Sequence, residues 1–334
     1  MRVSIRISVI LWAVALLACL GVGISRLLVF KQIFFEHAGI AITQPEVAAA
    51  HTGVNETRPQ LIPKIIHQVF HNWRSPGNDT LPSDWNNVRL TCTNANPDWE
   101  YKLWTEKSSR EFIEAEYPWF LTPYDRYRYP VQRVDAVRYF LLLHYGGIYL
   151  DLDNGCKGDL TPLLYYPMWI TDGGRGALSN NILASRPNHP FWNRLTLSLI
   201  PYNYDWFFPY ATISYASGQW FETAIWEQYH SLLPPVKDSP DFEHRLYRLM
   251  MDDRPGADEW VFFTQERGGT WVNWDNYLFL MIGDHLVVFA LIVLGSISLT
   301  IWLGTRLNRR YRDGYLRLKG LPNQHMISSI HAPL

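Results

Sequence analysis

Two carboxylates two residues apart, Asp151 and Asp153, follow a short apolar run, Ile148-Tyr149-Leu150. Alternate side chains of an extended chain share a face, so this spacing aims two hard oxygen donors in one direction. Such a pair suits Mg or Mn held together with phosphate oxygens. Gly155 lets the backbone turn close beside them. One helical turn apart in the preceding apolar run stand Asp135 and Arg138. Taken alone, that pair reads equally well as a structural ion pair, and a bare Asp-x-Asp reads equally well as two loop-capping carboxylates.

The elements that must position these groups follow from the pattern around them. A helix beginning near Pro130 carries one stripe of Val134, Val137, Leu141 and Tyr145 and another of Asp135, Arg138 and Leu142. Gly146-Gly147 supplies a left-handed terminator, and 148–150 reads as a strand. Upstream, 62–70 and 100–105 read as strands, 75–83 as a loop, and 85–94 and 106–116 as helices, the last broken by Pro118. Strands alternating with helices predict an α/β domain with a largely parallel sheet, whose ligands sit at the carboxyl ends of the strands. Phosphoryl-transfer enzymes of the haloacid dehalogenase type also carry Asp-x-Asp, but after their first strand and with Thr or Val two places beyond the second Asp. Here two strands come earlier and that place is Gly155. A nucleotide-sugar transferase of the A-type fold, whose motif comes late, fits better.

Both ends of the chain are apolar. Residues 7–25 hold no charge between Arg2, Arg6 and Arg26, and nineteen residues in a helix span about 28 Å, close to a hydrocarbon core. A cleaved signal peptide is the rival reading, but the run continues past its small residues. A second uncharged run, 286–303, precedes Arg306, Arg309, Arg310 and Arg312, which assigns the tail to the cytosol and the segment between the runs to the lumen. Two sequons, at Asn55 and Asn78, fit that side. Cys92 and Cys156 could bridge if their compartment is oxidising, although spacing along the chain gives no distance between them. The formal net charge of -1 gives no basic face for nucleic acid. Aromatic residues make up 15% of the chain. The aromatic tract 202–226 suits either a core or a lipid-headgroup surface.

The stretches 62–70, Glu116-Tyr117-Pro118-Trp119-Phe120, 127–133 and 145–156 together resemble glycosyltransferase family 32. Within it the resemblance is to the fungal mannosyl phosphorylinositol ceramide synthases. It implies an A-type, Rossmann-like fold with N- and C-terminal transmembrane helices. The divisions are a signal anchor over 1–31, a stem over 32–60, a luminal catalytic domain over 61–282, a transmembrane helix over 283–304 and a basic cytosolic tail over 305–334. The spacing of Asp135, Arg138, Tyr149, Asp151 and Asp153 is also similar to that in the glucosyltransferase domains of large clostridial toxins. By that similarity Asp135 and Arg138 hold donor-sugar hydroxyls, Tyr149 lines the donor pocket, Asp153 contacts the metal, and Asp151 binds sugar or ribose hydroxyls and supports the metal. Val69 and Phe70 cradle the base, and Trp271 neighbours the diphosphate.

The resemblance further implies transfer of mannose from GDP-mannose to inositol phosphoceramide with retention, Mn or Mg as cofactor, a Golgi or endoplasmic reticulum membrane, and a regulatory membrane subunit. Three positions depart from the family pattern. Val272 stands where a metal-side His is expected, Asn181 where Asp is common, and Gln219 where Pro is common. Either Glu266, Asn273 or Asp275 supplies oxygen ligands in place of the His, or the metal relies on waters, as Mg and Mn often do. A related glycan mannosyltransferase and an inactive regulatory homologue are the alternatives these departures leave open.

Overall fold

Apolar strands punctuated by Gly and Pro build the first of two units, 1–272 and 273–334, in a computed structural model that describes residues 14, 17–18, 21–25, 27–35, 37–51, 53, 56–234, 246–266, 268 and 272–318. Its strands are β1 (Ile40–Ile42), β2 (Ile65–Phe70), β3 (Glu100–Thr105), β4 (Gly147–Leu150), β5 (Asn154–Cys156), β6 (Met168–Asp172), β7 (Ser179–Ser185), β8 (Tyr247–Met250) and β9 (Phe263–Gln265). The central sheet runs β1-β8-β6-β7-β4-β2-β3, and β5 pairs with β9 in a separate ribbon. Only β7 lies antiparallel to its neighbours in the sheet. The link from β6 to β7 is six residues, far shorter than a parallel crossover needs. The mostly parallel α/β sheet expected from sequence is therefore present.

β2 begins three residues later than the sequence pattern suggested. Pro63 has no N–H to give a ladder, and the Ile62 N–H goes instead to the Leu164 carbonyl at 3.0 Å. The sheet has a core on each face, as strand alternation requires. Tyr149 of β4 packs into one with the Phe140 and Trp192 side chains. Its neighbours Ile148 and Leu150 pack into the other with Cys92 and Trp169.

Helices α1 (Gln44–Ala50), α2 (Ser83–Ala95), α3 (Glu106–Glu116), α4 (Pro118–Asp125) and α5 (Pro130–His144) precede β4, while α6 (Pro190–Tyr202), α7 (Pro209–Ala216) and α8 (Gln219–His230) follow β7. Twelve of the fifteen residues of α5 are buried, so both of its stripes are covered and it has no solvent face. Gln132 accepts the Tyr129 N–H at 2.9 Å at its start. At its end Gly146 and Gly147 take φ of 65° and 91°. Added Cβ atoms there would stand 2.7 Å from the Ser185 and Ile65 carbonyl oxygens.

Residues 37–50, read from sequence as part of a stem, are folded into the sheet and its flank. β1 pairs with β8, Val47 is buried, and buried Gln44 accepts the Val261 and Phe262 N–H groups at 3.0 and 2.9 Å. A capping box between Thr43 and Glu46 starts α1, the arrangement that satisfies two free donors at once. Cys92 and Cys156 form a disulfide with Cα atoms 4.7 Å apart. It ties α2 to β5 across 64 residues, a loop whose closure is worth about 4 kcal/mol.

The second unit contains α9 (Asn276–Asp284) and α10 (Leu286–Leu318). Residues Leu286–Tyr315 are long and apolar enough to cross a membrane by length and composition, and the helix continues through the arginines beyond 303. Most of the first apolar run lies outside the described residues, although 21–25 and 27–34 are helical.

Candidate active site

β4 lies between β2 and β7, and all that follows is built at its carboxyl end. The Asp151 backbone is fixed from both sides, its N–H donating to Asn181 O at 2.8 Å and its carbonyl accepting from Gln68 Nε2 at 3.4 Å. Asp151 Oδ1 accepts the Tyr149 hydroxyl at 2.6 Å. Arg138 then joins the two charge pairs, with Nη2 3.1 Å from Asp135 Oδ1 and Nη1 3.3 Å from Asp151 Oδ1. Its guanidinium also lies over the Tyr149 ring, 4.6 Å from the centroid, a favourable cation–π placement. Asp135 is completed by Ser217 Oγ at 3.0 Å and Asn180 Nδ2 at 3.1 Å.

Burial sets the electrostatics. It pushes the Asp135 carboxyl up against the pull of Arg138. It pulls on Arg138 as well, but Asp151, Tyr149 and Asp135 outweigh it and hold the guanidinium charged. The Asp153 carboxyl is raised to about 6, by desolvation first and by the Asp151 charge second. A carboxylate so placed gains from a cation beside it.

These groups open on a cavity of about 640 Å³, within the range of small-molecule sites. Of the residues singled out from sequence, Val69, Phe70, Asp135, Arg138, Asp151 and Asp153 line it. Tyr149 does not. It is fully buried and acts on the site through Asp151 and Arg138. Trp271 lies outside the described residues, as does Asn55, whereas Asn78 sits in an exposed turn and accepts the Thr80 N–H at 3.1 Å. Asn181 does not line the cavity. Its Oδ1 accepts from Thr171 and Ser179 at 2.9 and 2.7 Å, so this departure from the family pattern has a structural role. Gln219 lines the cavity and donates to Tyr210 Oη at 3.2 Å. Val272 is half exposed.

The residues present fit a hard divalent cation. Glu266 donates its backbone N–H to Asp153 O at 2.8 Å, carrying the β5–β9 ribbon over the carboxylate. The chain then passes Asp153 at Gly268, where a Cβ would stand 1.8 Å from Oδ2. Among the described residues no cluster of three His, Cys, Asp or Glu forms, and the Glu266 side chain is exposed. Asn273 and Asp275 belong to the second unit. Among the described residues, Asp151 and Asp153 are the carboxylates on the cavity wall beside this turn that would hold such an ion, with phosphate oxygens and water completing its shell.

Sequence reasoning missed several lining residues. His71, Trp73, Arg74 and Trp85 wall the cavity beyond β2, and Ile213 and Ser214 wall it from α7. Phe70 and Trp85 meet edge to face at 6.0 Å, so two rings stand together on this wall of the cavity. The signal available was Trp85 at the start of a helix with a weak apolar stripe. Glu222 of α8 was also unremarked. It is fully buried, neither oxygen has a hydrogen-bond partner among the described residues, and burial pushes its carboxyl well above the ordinary range.

A mostly parallel α/β sheet with paired carboxylates at a strand end, over a cavity walled by aromatic rings, fits a glycosyltransferase. Residues 82–170 match a glycosyltransferase sugar-binding region containing a DXD motif. Mannosyl phosphorylinositol ceramide synthase SUR1 of Saccharomyces cerevisiae is 36% identical over 254 residues, 74% of this chain and 63% of that protein. CSH1, a synthase of the same description from that yeast, is 36% identical over 266 residues, 77% and 68% of the two chains. Inositol phosphoceramide mannosyltransferase 2 of Schizosaccharomyces pombe is 35% identical over 261 residues, 78% and 73%. The chain belongs to this glycosyltransferase family, together with the inositol phosphoceramide mannosyltransferases of yeasts. It spans under two thirds of SUR1 and slightly more than two thirds of CSH1.

Proposed function

We propose that this chain is a metal-dependent, retaining mannosyltransferase that moves mannose from GDP-mannose to inositol phosphoceramide. The observation that supports the reading is the Arg138 bridge between Asp135 and Asp151, on the same cavity wall as Asp153. The acceptor follows from the relatives' names and from the apolar segments at both ends.

Asp135 and Arg138 orient the sugar hydroxyls, and their own packing keeps the clamp rigid. Phe70 and Trp85 hold the base. Asp151 and Asp153 would hold Mn or Mg, and such an ion, when bound, would supply positive charge to offset that building on the departing diphosphate. The bond from the sugar's anomeric carbon to the diphosphate oxygen breaks while the inositol hydroxyl attacks from the same face. The proton of that hydroxyl passes to the leaving phosphate oxygen, so no side chain is needed as a nucleophile. The two apolar runs hold the site at the luminal leaflet of a Golgi or endoplasmic reticulum membrane, where the effective concentration of a lipid acceptor is high. Asn78 is glycosylated there, and a regulatory membrane subunit joins the chain.

Membranes containing the chain, supplied with labelled GDP-mannose and inositol phosphoceramide, should transfer label to lipid. Asp153→Ala should lower that rate about 10²–10³-fold at unchanged expression. Label entering a glycan acceptor instead would move the chain to a different family activity. No transfer to either acceptor by the intact, well-expressed chain would leave the regulatory reading.

A further inference from the structure

The loop between α6 and α7 exposes three large rings, Tyr204 at 65%, Trp206 at 52% and Phe207 at 84%. Nearby in sequence, Phe191, Trp192, Phe221 and Trp226 are fully buried. The aromatic tract that suited either a core or a lipid surface is thus divided between the two. An exposed cluster of this kind marks an interaction surface.

A chain of ring contacts connects this loop to the N-terminal apolar helix. Trp206 meets Tyr215 at 6.2 Å, Tyr215 meets Trp220 at 4.9 Å, and Trp220 meets Phe34 edge-on at 5.3 Å. Phe34 belongs to helical residues 27–34, in which Leu27 and Leu28 are 69% and 59% exposed. The same two helices wall the donor cavity on their other side, through Ile213 and Ser214 of α7 and Gln219 of α8. Tyr215 of α7 and Trp220 of α8 thus connect Phe34 and the 204–207 loop to the two helices that wall the cavity.

We propose that the 204–207 loop enters the headgroup layer of the bilayer that the N-terminal helix crosses, and that the α7–α8 wall thereby delivers a lipid headgroup from that leaflet to the donor cavity. The inference rests on the reading of the N-terminal run as a membrane span. Trp and Tyr place an apolar body and a polar tip at such an interface. The loop's only charged residue is Asp205, so its contact is apolar and insensitive to salt, unlike attraction of a basic patch to anionic lipid.

The test reconstitutes the full chain, with Cys19→Ser, in phosphatidylcholine vesicles. An environment-sensitive fluorophore is attached through Phe207→Cys, Leu28→Cys or Lys107→Cys, the last a site whose side chain is 83% exposed on α3. With nitroxide-bearing phosphatidylcholine present, the probes at 28 and 207 should be quenched at least twofold more than the probe at 107, and 0.5 M salt should not change this. A quenched probe at 28 beside a probe at 207 that behaves like 107 overturns the loop insertion and leaves the span standing. An unquenched probe at 28 overturns the span and the insertion with it. A probe at 207 that is shielded from iodide in detergent as well as in vesicles means that protein covers the loop, and also overturns the proposal. In parallel, the double change Trp206→Ser and Phe207→Ser should raise KM for acceptor presented in vesicles about fivefold to tenfold. KM for GDP-mannose should stay unchanged, and an equal rise in both would mean general damage to the site.

Discussion

Two arginines of this chain meet carboxylates in opposite surroundings. Arg110 of α3 makes the better geometry, with Nη2 2.8 Å and Nε 3.0 Å from the two oxygens of Asp125 and Nη1 3.0 Å from Glu114. Arg138 of α5 reaches its carboxylates only at 3.1 and 3.3 Å. Yet the Arg110 and Asp125 side chains are 44% and 39% exposed, whereas those of Arg138 and Asp135 are 4% and 6% exposed. Water can replace any partner of Arg110. It cannot replace Asp135 beside Arg138 without entering the core, whereas Asp151 is 31% exposed at the cavity. Distance alone would rank the pairs wrongly, because the environment fixes what each is worth.

Breaking the buried member should have the largest effect. Arg138→Leu leaves two carboxylates facing each other without their cation and should cost about 3–5 kcal/mol, read as a lower urea midpoint of the detergent-solubilised chain, along with loss of transfer. Arg138→Lys should keep more of the fold than of the activity, since one ammonium cannot fork to Asp135 and Asp151. A midpoint unchanged in Arg138→Leu would show that the network does not support the fold.

The neutral side of the same contrast lies on β2 and beside it, where His71 lines the cavity. His67 accepts from Trp104 Nε1 at 3.1 Å and donates to Gly146 O at 2.9 Å, which holds the glycine turn. His71 pairs with Ser109 Oγ at 3.0 Å. Burial draws their pKa values down to about 4 and about 3. The unfolded chain binds protons near pH 6.5 and the folded chain does not. Stability should therefore be full above pH 6.5 and fall as the pH drops toward 4, by on the order of a few kcal/mol per ring. Midpoints measured across that range check it, and His71→Gln should flatten the profile.

Smaller effects sharpen the comparison. Glu222→Gln should shift stability by less than about 1 kcal/mol, because burial pushes that carboxyl well above the ordinary range, toward its neutral form. A large loss would mean that it is charged in the fold. Arg110→Ala should leave the midpoint within replicate error, and a clear fall would show that exposed geometry counts for more than argued.

The helix over 130–144, the glycine stop and the strand ending in Asp151 were legible because each rests on local rules, namely a first-turn Pro, a terminator and alternation. Thr43-Gln44-Pro45-Glu46 was legible in principle as a capping box and was passed over within a segment of weak period. β1, only three residues long, had no local signal. Its strand character comes from pairing with β8, some two hundred positions away. Trp85 and the α7 wall entered the site for the same reason, since nothing in their own segments says what lies opposite.

By itself the sequence determined which groups could do chemistry here and the local geometry that carries them, because residue type, turn and period act over a few positions. The resemblance put Tyr149 on the pocket wall and the Asp135–Arg138 pair on the sugar, while residue types alone left that pair open between clamp and strut. Only the tertiary structure shows α5 packed against β4 so that Arg138 reaches Asp151, with Tyr149 fully buried instead of lining the cavity. Contacts of that kind join elements through space, and their strength comes from the exclusion of water, which no spacing along the chain records.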